Sequence, residues 1–124
     1  MVKFKRFSFY FLLAWVIGSC ELPLPSLDGI DLVQWKNDRN GCGGQRASMI
    51  EALQNQRNKL EGLTETQISK LLGRPDQNEL YKRNQKFYHF FLQPGPACGQ
   101  STGKQLRLSI RFNATERAKE VAIE

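Results

Sequence analysis

The hydrophobic pattern of this chain changes its period once, close to Asp76, and this change limits the possible folds more than any other feature. Before it, residues 45–62 repeat apolar side chains at helical spacing, and residues 64–73 have the start and stop signals of a second helix. After it, residues 105–112 alternate apolar and polar side chains, as a strand with one buried face does. The order predicts an α+β domain, with two N-terminal helices packed on a small three- to four-stranded antiparallel sheet.

The second helix is the most strongly specified element. Thr64 is a favoured N-cap residue, and Gln67 stands three positions later, so the two can form a capping box. Gly73 is placed to end the helix, and Pro75 prevents it from resuming.

Residues 86–92 form an unusual predicted strand because they carry aromatic rings on both faces. Phe87, His89 and Phe91 share the face opposite Tyr88 and Phe90. Exposed large apolar patches commonly mark interaction sites. We therefore predict that Phe87, His89 and Phe91 form a protein-binding surface.

The N-terminus has the order of a bacterial export signal. Basic residues precede an uncharged apolar run over residues 7–17, and Ile17-Gly18-Ser19-Cys20 follows. This tetrapeptide resembles the bacterial lipobox, which implies cleavage between Ser19 and Cys20 and lipidation of the cysteine, with palmitate as one acyl chain. The predicted organisation is a signal peptide over 1–19, a lipidated N-terminus and tether over 20–28, and one domain over 29–124. An ordinary signal peptide and a retained membrane anchor are the alternatives.

The cysteine count agrees with a lipidated Cys20. The chain has three cysteines, and if Cys20 carries lipid, Cys42 and Cys98 remain as a pair. An oxidising compartment allows the two to form a disulfide. A loop of this length predicts about 4 kcal/mol of stabilisation in the chain-entropy model. Two free, buried thiols are the alternative.

Charge and side-chain inventory exclude several classes of function. The formal net charge is +6, but residues 1–19 contain three basic and no acidic residues, so 15 basic and 12 acidic residues remain, a net +3. Basic residues are scattered, and no nucleic-acid-binding motif is visible. His89 is the only histidine, and no ligand cluster has zinc spacing. A nucleophilic pair of Cys42 and His89 is less plausible than the disulfide. We predict no catalytic residue, no metal and no cofactor.

The helix punctuation and the strands together resemble a known family. Gly62-Leu63-Thr64, Leu71-Leu72-Gly73 and Pro75, followed by an aromatic strand and an alternating one, are similar to the BamE/SmpA/OmlA-type small outer-membrane lipoproteins. The resemblance covers about residues 60–124 and the lipobox. Residues 28–46, which include Trp35 and Cys42, lie outside it.

This resemblance implies a location and a role. Family members are lipid-anchored, and the best known are accessory subunits of the outer-membrane β-barrel assembly machine. The expected protein is therefore a non-enzymatic, protein-binding subunit in the bacterial cell envelope, at the outer membrane and facing the periplasm. Secreted inhibitors of β-lactamase share the architecture. A binding or inhibitor module for a secreted enzyme or a small ligand is thus the alternative.

Overall fold

The computed structural model describes residues 23–99 and 105–124. In these residues the α-helices precede the strands, as predicted. The predictions for the signal peptide, for cleavage at Ser19 and for lipidation of Cys20 lie outside these residues. The helices are α1 (Leu32–Asn37), α2 (Ile50–Gln56) and α3 (Glu65–Leu72). The strands are β1 (Gln77–Tyr81), β2 (Gln85–Phe91), β3 (Arg107–Phe112) and β4 (Ala118–Ile123). All pairings are antiparallel, in the order β1-β2-β3-β4.

The α+β class with a small antiparallel sheet is confirmed, but the arrangement of helices differs from the prediction. The α-helices lie between residues 32 and 72 rather than at the N-terminus, and the described residues contain three of them. The predicted continuous helix over 45–62 is a short α2 between 3₁₀ turns at Ala47–Met49 and Arg57–Leu60. The backbone departs from helical geometry at Met49 and Gln56, where ψ is 2° and 4°.

The prediction for α3 is confirmed in its local chemistry. The Thr64 hydroxyl accepts from the Gln67 amide at 3.2 Å, and the Gln67 side chain accepts from the Thr64 amide at 2.9 Å. These two hydrogen bonds satisfy donors that a helix N-terminus otherwise leaves unpaired. At the other end, Gly73 has φ of 82°, a value that favours glycine.

The β1–β2 hairpin closes through a tight turn at residues 82–85. Arg83 and Asn84 both have φ of 59°, and the Gln85 amide donates to the Lys82 carbonyl at 3.3 Å. Positive φ at both central residues matches the sense of turn that suits twisted strands.

The core lies between the helices and one face of the sheet. The strand residues on this face include Phe90, Leu108 and Ile110, all fully buried. The helices and turns contribute Trp35, Leu53, Leu60, Ile68 and Leu72, each also fully buried. The opposite face of the sheet carries Phe87, His89 and Ser109, so the two faces of β2 have different surroundings.

Candidate functional site

Segment 32–41, which lies outside the family resemblance, is attached to the C-terminal end of α3. The indole N–H of Trp35 donates to the Leu72 carbonyl at 3.0 Å. Lys36 Nζ donates to another carbonyl of the last helical turn at 3.0 Å, and the Arg39 guanidinium donates to the Arg74 carbonyl. Carbonyls at a helix C-terminus lack partners within the helix, and cations there also interact favourably with the helix dipole. The segment therefore caps α3.

A buried ion pair between Arg46 and Asp76 lies beneath this contact. Arg46 Nη1 is 2.6 Å from Asp76 Oδ2, and the two side chains are 1% and 0% exposed. The guanidinium also donates to the carbonyls of Trp35 and Phe91, at 2.9 and 3.2 Å. Asp76 accepts further hydrogen bonds from the amides of Asn40 and Phe91. Both buried charges are thus compensated, as burial requires.

The same ion pair joins the helical layer to the sheet. The Arg46 guanidinium lies over the Trp35 ring, 4.6 Å from its centroid, a cation–π geometry. Asp38 accepts the Arg46 amide at 2.9 Å and the Gly43 amide at 2.6 Å. The loop that carries Cys42 is therefore folded around buried carboxylates rather than an apolar centre.

The disulfide between Cys42 and Cys98 is confirmed, with a Cα–Cα distance of 5.5 Å. Cys42 is exposed and Cys98 is half-buried, so the bond lies at the surface. The backbone next to it is tightly packed, because a β-carbon at Gly41 would lie 2.8 Å from the Gln93 carbonyl oxygen. Gly41 also has φ of 68°. Glycine therefore suits this position for two independent reasons.

A basic cleft opens where segment 32–41 meets the end of α3. Its volume is about 290 Å³, and it is lined by Lys36, Arg39, Arg46, Leu72, Gly73 and Arg74. The Arg39 side chain is 45% exposed and lies 3.5 Å from Asp76. Sequence reasoning missed this cleft because its cations come from positions that no motif links.

His89 lies in a chain of hydrogen-bonded side chains that has the composition of a catalytic triad, but its serine is not accessible to a substrate. Its Nδ1 is 2.8 Å from Ser109 Oγ, and its Nε2 is 2.9 Å from Glu79 Oε2. In a triad the serine must reach substrate while the acid orients the histidine. Here Ser109 is 3% exposed, whereas the Glu79 side chain is 58% exposed. The three residues link β1, β2 and β3, and their geometry does not suit nucleophilic attack.

The prediction of an exposed aromatic patch on β2 needs correction. His89 is 2% exposed and Phe91 is 5% exposed, and only Phe87 is partly accessible. The Phe87 ring stacks on His89 with centroids 5.6 Å apart, and Gly95 packs directly against the Phe91 ring. Neighbouring residues of the domain thus cover two of the three positions.

Within the described strands, the exposed large apolar side chains lie one strand away, on β1. All five β1 residues are exposed; Leu80 is 83% exposed and Tyr81 is 50% exposed. The edge of β4 differs, because Ala118 at its start exchanges backbone hydrogen bonds of 2.8 Å with Gly62 and Leu63. An uncovered edge strand can pair with an added strand. Alternation alone could not distinguish β1 as the uncovered edge.

In residues 23–99 and 105–124, no group of three or more His, Cys, Asp or Glu side chains could hold a metal ion. No helix in the same ranges has the length and apolarity needed to cross a bilayer.

No protein-family model, curated protein or solved structure matches this chain. The similarity to BamE/SmpA/OmlA-type lipoproteins stays a prediction, which depends on the residues quoted for it.

Proposed function

We propose that this chain is a lipid-anchored protein of the bacterial cell envelope that acts as a non-enzymatic, protein-binding accessory subunit in outer-membrane assembly or maintenance. The observation that carries the proposal is the disulfide between Cys42 and Cys98. It pairs two of the three cysteines in the sequence with each other, and the third is Cys20, at the end of the lipobox-like sequence. A disulfide also suits an exported protein, since the bacterial periplasm is oxidising.

The packing of residues 26–28 limits how far the domain can lie from the proposed anchor at Cys20. Leu27 is 7% exposed and belongs to the core, and Gln56 exchanges hydrogen bonds with the Asp28 backbone. Lys59 donates to the Ser26 carbonyl at 3.1 Å. The tether predicted over 20–28 is therefore shortened, because its last residues belong to the domain. From Cys20 to Ser26 the chain can reach roughly 20 Å, so lipid at Cys20 would hold the domain close to the bilayer.

The β1 edge supports the protein-binding part of the proposal. Leu80 and Tyr81 provide exposed apolar surface, and the Tyr81 ring contacts Phe87 edge-on at 5.5 Å. A partner strand added to β1 would cover Leu80 and complete the sheet. This surface replaces the predicted set of Phe87, His89 and Phe91, of which it keeps only Phe87.

Metabolic labelling tests the anchor. Cells that express the full chain are grown with labelled palmitate, with and without globomycin, and the Cys20→Ala variant is run beside it. We expect label in the unsubstituted chain and none in Cys20→Ala, and accumulation of the uncleaved precursor with globomycin. The matched control is Cys42→Ala, which should keep the label. If Cys20→Ala still incorporates label, the lipid anchor is excluded.

Partner capture tests the role. Detergent-solubilised membranes are used to recover partners with the full chain and with Leu80→Glu, which places a charge on the exposed β1 edge. The proposal expects components of the barrel-assembly machinery with the first and their loss with the second. Val33→Glu is the control, since Val33 is 69% exposed on α1. Recovery of a soluble hydrolase instead would favour the inhibitor module.

A further inference from the structure

The net charge of the described domain is concentrated at the basic cleft. The described residues contain 14 Lys and Arg against 11 Asp and Glu, a net charge of +3. Four of these cations line the cleft. Two carboxylates, those of Asp38 and Asp76, bond to residues that line it. The cleft and these two carboxylates therefore account for +2 of the +3. Ten basic and nine acidic residues nearly balance over the rest of the described surface.

Capping of α3 explains the position of some of these cations but not of all. Lys36 and Arg39 donate to carbonyls near the end of the helix, and Arg46 is paired with Asp76. Arg74 is different. Arg74 is exposed and lines the cleft, and within the described ranges its side chain has neither a hydrogen bond nor an ion pair.

The walls of the cleft favour a small anion with a substituent. The aliphatic stem of Lys36, whose Cγ lies 3.1 Å from where a β-carbon at Gly73 would be, forms an apolar wall. The Arg39 and Arg74 guanidinium groups can each present two parallel N–H donors, a geometry that matches phosphate and carboxylate oxygens. The excess of positive charge matches a phosphate monoester of charge about −2 better than a single carboxylate.

We propose that this cleft binds a phosphate group, with Arg39 and Arg74 as donors and Lys36 beside them, while the buried Arg46 stays paired with Asp76. This site does not depend on lipidation of Cys20 or on a protein partner. The palmitate experiment and the experiment below can therefore fail separately.

Side-chain NMR of the full chain in detergent micelles tests the site. Inorganic phosphate is titrated at constant ionic strength, and the Nε–H resonances of the arginines are followed. We expect saturable shifts for Arg39 and Arg74, and no saturable shift for Arg117 on the β3–β4 turn. Arg74→Gln should weaken binding about tenfold, the loss of one charge-assisted contact, while Arg74→Lys should weaken it less.

The matched control is Lys119→Gln, which removes one exposed positive charge from β4, outside the cleft. If it weakens binding as much as Arg74→Gln does, the effect is one of net charge and the site is wrong. Linear shifts of all arginines alike, without saturation, would also overturn the proposal. Unchanged amide spectra of the Arg74 variants confirm that the fold is intact.

Two further ligands distinguish the sources of the phosphate group. Glycerol 3-phosphate carries it without acyl chains, and a short-chain phosphatidic acid carries it with them. Equal affinity for both indicates a soluble phosphate ester, and tighter binding of the second indicates a lipid headgroup. Either result supports the site, provided that inorganic phosphate competes. Binding of the lipid without competition by phosphate would contradict it.

Discussion

Replacing Arg46 with methionine removes the cation of the buried ion pair and leaves the Asp76 carboxylate, which is 0% exposed, without its closest partner. Breaking one side of a buried pair typically costs about 3–5 kcal/mol. Asp76 would keep its hydrogen bonds from the amides of Asn40 and Phe91, and Arg39 would remain 3.5 Å away. We therefore expect the lower end, about 3 kcal/mol, a large share of the 5–15 kcal/mol typical of a domain.

Guanidinium chloride unfolding with the disulfide intact measures this cost. Tryptophan fluorescence is a suitable signal, because Trp35 is fully buried and lies against the Arg46 guanidinium. The variants are Arg46→Met, Asp76→Asn and the double substitution. We expect the double variant to be more stable than additivity predicts, by about 1–3 kcal/mol, because it no longer buries an unpaired charge. A loss below about 1 kcal/mol for Arg46→Met, or strict additivity, would refute this reasoning.

Three further predictions concern stability. Reducing the disulfide should lower the free energy of unfolding by about 4 kcal/mol, measured by denaturant titration with and without reductant; no change would mean that the link does not restrict the unfolded chain. Thr64→Ala should cost about 1 kcal/mol through loss of the N-cap, whereas Thr66→Ala, at an exposed position of the same helix, should cost less; equal thermal shifts would contradict the capping role. The Glu65 side chain hydrogen-bonds Lys86 and raises the pKa of Lys86, and burial raises the pKa of Tyr88. Both pKa values are raised in the folded state, so the stabilisation linked to them is present below about pH 10 and is lost as the pH rises through the folded pKa values. Lys86→Met should therefore flatten the fall of the melting temperature with alkaline pH.

The parts of the fold that follow local rules could be predicted from the sequence. The capping box and the glycine stop of α3 act within one helix, and the alternation of β3 concerns its own side chains. The prediction of one continuous helix over 45–62 was wrong, since a short α2 lies between two 3₁₀ turns. The predicted apolar stripe is nevertheless buried at Met49, Leu53 and Leu60. An apolar stripe reports which side is buried rather than whether the backbone is continuous.

The candidate site could not be predicted, because its contacts join distant parts of the chain. Arg46 gives no hydrophobic signal, yet its side chain is 1% exposed because Asp76, thirty positions later, pairs with it. Burial of His89 also depends on Ser109 and Glu79, which two neighbouring strands supply. Alternation could place His89 on a face of the sheet but could not show what covers that face.

The buried ion pair and the close approach at Gly41 offer a way to recognise relatives of this protein. Trp35 and Arg46 are eleven positions apart, Arg46 and Asp76 are thirty apart, and Gly41 has no room for a side chain. Arg46 bonds both Trp35 and Asp76, so these three positions should change together or not at all. A chain that has lost both cysteines but keeps these three and Gly41 should still fold in this way. Their spacing is therefore a more durable mark of common descent than the disulfide.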